Sequence, residues 1–84
     1  MKFSVDKASS IMNNIAIGAL LKVKNSTELY NTQYVSGYIV SLISVDELVV
    51  ILQEARTSYN NIVVEVITTS GVKGWIFLSE LDEV

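Results

Sequence analysis

The chain has 84 residues and a formal net charge of −3, with half of its residues hydrophobic and 18% charged. That balance excludes an intrinsically disordered chain, which needs low hydrophobicity and high net charge. It leaves one small domain with more apolar surface than a body of this size hides easily, and a large exposed apolar patch usually marks an interface.

In chain order, residues 1–14 read "MKFSVDKASSIMNN". Val5, Ala8, Met12 and Ile15 recur at helical spacing, Ser4 suits a cap, and Asn13 and Asn14 suit a stop. A short helix or an ordered arm is expected here, with a frayed tail as the competing reading. The apolar run "IAIGALL" that follows is short for a signal sequence, no A-x-A cleavage pattern comes after it, and it falls well short of a membrane span. A soluble, unprocessed, cytoplasmic protein is expected, with no membrane partner.

From residue 15 onward the pattern is β. "IAIGALLKVKN" over 15–25 places β-branched residues around Gly18. "STELYNTQYVSG" over 26–37 is polar with spaced aromatic and aliphatic anchors, and a long ordered loop is expected. Two apolar runs follow in "YIVSLISVDELVVILQEA" over 38–55, separated by Val45, Asp46 and Glu47. Within the second run Leu48, Val50 and Leu52 share one face of a strand, and Val49 and Ile51 share the other. "RTSYNN" over 56–61 carries turn formers. "IVVEVITT" is a strand with apolar residues on both faces apart from Glu65, "SGVKG" is a tight connection, and "WIFL" is the last strand. Five or so short strands with turn signals between them predict a small barrel or sandwich.

"GVKGWIFLSEL" over 71–81 is the most informative stretch. Gly71 suits the positive φ of a hairpin corner, and Gly74 lets another backbone or ring come close. Trp75, the sole tryptophan, opens a strand with the largest apolar side chain available. "FLSEL" reads as a one-turn 3-10 segment that lays Leu81 back onto the barrel. Gly71, Gly74, Trp75, Ile76 and Leu81 resemble the closing motif of the bacterial SH3 (SH3b) family: Gly, two variable residues, Gly-Trp-Val, a few residues, then Leu. Val66 stands where that family has a buried Val, and Tyr30 of "ELYN" falls at an aromatic position of its long first loop. The resemblance covers residues 15–84 and implies an SH3-like five-stranded barrel, with residues 1–14 appended as an arm or short helix. An OB-type barrel is the nearest competing architecture. The chain departs from the family in having Val63 where a Trp is usual, Glu80 where an aromatic is usual, and no proline. Those are groove positions for Pro-rich peptides.

The residues limit the chemistry. With no His and no Cys, a histidine triad, an imidazole relay and a thiolate site are impossible, and zinc is left with carboxylates alone. Asp46–Glu47 and Asp82–Glu83 are adjacent acidic pairs, read as a solvated turn and a terminal tail. "GVKG" is too short for a phosphate loop and enters a strand rather than a helix. The six basic residues, Lys2, Lys7, Lys22, Lys24, Arg56 and Lys73, are scattered, so the clustered basic footprint of a nucleic-acid binder is missing. No enzyme activity, cofactor or metal is expected.

Binding candidates are Tyr30, Tyr34, Tyr38, Tyr59 and Trp75, because tyrosine and tryptophan dominate interface hot spots. The competing reading places Trp75 in the core and has Tyr38 open a strand packed inward. Val49 and Ile51 are expected on the outward face, where with Val63 and Ile67 they form a patch covered by residues 1–14 or by a second copy. A non-enzymatic protein-interaction module is the leading expectation, its partner another protein or the chain itself. A small structural subunit of a larger assembly, such as a phage or virus particle, is the alternative, and cell-wall peptide recognition is a third.

Overall fold

The computed structural model describes residues 17–84, and the expected arm or helix over 1–14 lies outside them. The described residues form one antiparallel sheet that curls into a half-barrel, with no α-helix. Its strands are β1 (Leu20–Val23), β2 (Thr27–Tyr30), β3 (Ile39–Ile43), β4 (Leu48–Arg56), β5 (Ile62–Thr68), β6 (Lys73–Phe77) and β7 (Leu81–Glu83). The order across the sheet is β3-β2-β6-β5-β4-β1-β7. A single 3-10 turn, Leu78–Glu80, joins β6 to β7 where the sequence predicts one.

Seven strands stand where five or so are expected. β2 lies inside the stretch read as a loop. Of its four residues only Leu29 is fully buried, so an apolar alternation never builds up in the sequence. β7 holds Asp82 and Glu83, read from the sequence as a tail. Its ladder with β1, Leu21 to Glu83 and Val23 to Leu81, comes from tertiary pairing that a three-residue segment cannot advertise.

The turns follow from their side chains. Between β4 and β5, Thr57 Oγ1 accepts hydrogen bonds from the Tyr59 and Asn61 amides, and Asn60 takes a φ of 66°. Asparagine tolerates that left-handed conformation better than most residues. Between β5 and β6, Gly71 takes a φ of 89°, and its amide donates to the Thr68 carbonyl. The buried Thr68 hydroxyl accepts from the Val72 amide, so it is not left unpaired.

The core lies on the inner side of the curl, built from Leu21, Val23, Leu29, Ile43, Val49, Ile51, Val64, Val66, Ile76, Leu78 and Leu81. This corrects the phase of β4. Val49 and Ile51, expected outward, are each 1% exposed and belong to the core, while Leu48, Val50 and Leu52 are the half-buried set. The cause is register. Val49 pairs with Leu21 and Thr68, and Ile51 pairs with Val66, all inward residues of neighbouring strands. A bulge at Leu52 then lets Gln53 meet Glu65 on the outer face, where the Gln53 Nε2 donates to Glu65 Oε1 at 2.8 Å.

Candidate functional site

Gly74 fixes how the β2–β3 hairpin sits on the sheet. A Cβ there would lie 2.7 Å from Leu29 Cβ, 2.9 Å from Val40 Cγ2 and 3.3 Å from the Tyr30 carbonyl oxygen. Only a residue without a side chain lets β2 and β3 cross this close over β6. β2 and β6 share the pair Tyr30–Trp75, so the sole tryptophan and the first candidate tyrosine are cross-strand neighbours.

Trp75 itself is 8% exposed, which answers the choice between core and surface in favour of burial. It stands outside the inner cluster, as does Val63, which is fully buried. By alternation both point to the opposite face of the sheet from Val64 and Ile76. Tyr30 is half-buried, and its hydroxyl donates to Glu28 Oε1 at 3.3 Å. Desolvation, followed by the charge of Glu28 and that hydrogen bond, holds the phenol pKa above its ordinary value of 10.0.

The turn between β2 and β3 is held by its own polar groups. The Asn31 amide donates to the Tyr38 carbonyl at 3.0 Å, and the Tyr38 amide donates to Asn31 Oδ1 at 3.1 Å. Thr32 Oγ1 donates to the Ser36 carbonyl, and the Val35 amide returns to the Thr32 carbonyl. These bonds satisfy the backbone locally and leave the apolar side chains outside. Tyr34 and Tyr38 are both largely exposed, so the competing reading of Tyr38 as packed inward fails. Ile39, Val40 and Leu42 of β3 are exposed with them, Leu42 at 76%.

The hairpin therefore carries Tyr30, Tyr34, Tyr38, Ile39, Val40 and Leu42, with Tyr30 beside Trp75. Tyr59 is exposed at the turn that opens β5 and does not join them. β2 runs the same way as β5, because both pair antiparallel with β6, so the β2–β3 turn lies toward the end where β5 closes. Val49 and Ile51 leave the candidate set with their burial. Sequence reasoning missed Ile39, Val40 and Leu42. The available signal was "YIVSLIS", seven residues without a charge to mark a solvent face.

The acidic residues do not form a reactive centre. Asp46 takes a φ of 68° and its amide donates to the Val23 carbonyl, while Glu47 Oε1 accepts from the Ser44 amide. Both serve the turn into β4. Among the described residues no three His, Cys, Asp or Glu side chains come together in a way that could hold a metal ion, and no helix is long and apolar enough to cross a membrane. Comparison with family models, with curated proteins and with solved structures gives no match to this chain.

Proposed function

We propose that this chain is a non-enzymatic protein-interaction module on an SH3-like barrel, with the β2–β3 hairpin as its contact surface. The observation that carries the reading is the run of exposed Tyr34, Tyr38, Ile39, Val40 and Leu42 along one hairpin. Apolar and tyrosine side chains concentrated on one element suit a partner better than solvent. The barrel reading draws on the ladder joining β1 to both β4 and β7, the long bulged β4, and the 3-10 turn before β7. β2 and β3 then occupy the place of the long first loop.

The surface differs from an aromatic groove for Pro-rich peptides. Trp75 is buried, Val63 and Glu80 stand at two groove positions, and the exposed residues lie on the hairpin instead. A second reading, a structural subunit of a larger assembly, draws on the same apolar hairpin. Size-exclusion chromatography with light scattering separates the two. A monomer or a discrete small oligomer supports the module, and a large closed particle or a filament contradicts it.

A further inference from the structure

We propose that β3 docks a second copy of this chain, the two β3 strands pairing antiparallel across a twofold axis. The inference rests on the reading of the hairpin as an interaction surface, and it names the partner. β3 is the end strand of the sheet, and among the described residues no strand pairs with its outer edge. An edge of this kind presents a row of backbone donors and acceptors that another strand satisfies. Chains that avoid such pairing place Lys, Pro or inward charges on the edge. β3 has the sequence Ile-Val-Ser-Leu-Ile and none of these devices.

The neutral sequence selects the partner. In a twofold pair each strand meets its own copy, so any charge on it would meet a like charge or lie close to one. β3 brings none. Centred on Ser41, the pairing sets Val40 against Leu42 of the second copy, covering side chains that a monomer leaves to water, while the exposed Ile39 meets Ile43 of the second copy, which is already buried in its own core. The other edge, β7, is a poorer choice. It is three residues long and carries Asp82 and Glu83, so two β7 strands would oppose acidic groups. Pairing β3 with β7 would be head-to-tail and leave further edges open. A five-residue ladder buries less than the roughly 1,200 Å² of a stable complex, so the dimer is reversible and concentration-dependent.

The test is sedimentation velocity on the full chain over a concentration series, with amide hydrogen exchange measured at both ends of the range. The expected result is a monomer that becomes a dimer, with the β3 amides not bonded to β2 gaining protection only in the dimer. Leu42→Lys weakens the dimer at least tenfold and leaves the melting temperature unchanged, because residue 42 is exposed in the monomer. Tyr59→Lys, at the far turn, leaves the dimer intact. A chain that stays monomeric with freely exchanging β3 amides overturns the proposal. So does equal protection at every dilution, which means that the edge is covered within one copy, and so does a dimer indifferent to Leu42→Lys. If the chain is monomeric but the hairpin contacts a different protein, self-pairing fails and the module reading survives.

Discussion

Gly74→Ala is the perturbation the packing speaks to most clearly. The new methyl carbon lands 2.7 Å from Leu29 Cβ and 2.9 Å from Val40 Cγ2. Carbon atoms rest at about 3.5–4.0 Å, so β2 has to retreat from β6 by most of an ångström. Neither Leu29 Cβ nor the Tyr30 carbonyl is the free end of a flexible side chain, and β2 meets β6 through one ladder pair, so the hairpin gives as a body. Overpacking of this kind costs about 2–3 kcal/mol. In a domain of this size that lowers the melting temperature by about 8–24 °C. Trp75, adjacent in sequence and the sole tryptophan, reports the transition by its fluorescence. Gly71→Ala is the control. Nothing lies within 4 Å of a Cβ there, so its cost comes from the positive φ alone. Val40→Ala in the Gly74→Ala background removes the contact with Cγ2 and recovers part of the loss, and it rescues nothing in the Gly71→Ala background. Melting of Gly74→Ala within experimental error of the wild type would refute the close crossing of the hairpin over β6.

Other substitutions test the remaining packing. Trp75→Ala loses about 3–5 kcal/mol, enough to unfold much of a marginal domain, and chemical denaturation measures it. A variant of normal stability contradicts the burial of the ring. Ile51→Lys puts a charge among Leu21, Val64 and Val66 and prevents folding, whereas Leu52→Lys, at the half-buried bulge, folds; circular dichroism distinguishes the two, and the reverse result restores the opposite phase of β4. Tyr30 binds its proton more tightly in the folded state than at its ordinary value of 10.0. Its contribution to stability is therefore full below that value and is lost as the pH rises through the raised folded value. Tyr30→Phe removes this part of the alkaline loss, and stability curves of the two proteins that stay parallel at alkaline pH contradict the shift.

The β5–β6 turn and β6 itself, with Gly71, Gly74 and Trp75, are legible from the sequence because each residue type has a narrow use there. Gly71 turns the corner, Gly74 admits β2, and the 3-10 turn falls where "FLSEL" places it. The phase of β4 is not legible. Leu48, Val50 and Leu52 are as apolar as Val49 and Ile51, so the sequence carries two equivalent faces and only the register with β1 and β5 chooses. Glu65 marks the outer face of β5, but the bulge at Leu52 changes the phase of β4 partway along, which a count of alternating residues cannot anticipate. The candidate site was half visible. Tyr30 and Tyr34 belong to the hairpin that carries it, while the exposed apolar residues of β3 resemble core from their sequence. Their exposure comes from β3 being the end of the sheet, a property of topology rather than of composition.

The account's central claim is that partners meet this chain on the β2–β3 hairpin. Site-specific photo-cross-linking tests it most directly, with the photoreactive residue placed at Tyr34 or Leu42 and, as a control, at Tyr59, all three exposed. The account predicts protein adducts, with a second copy or another chain, from positions 34 and 42 and few from position 59. Equal yields at all three positions, or adducts concentrated at 59, would contradict it.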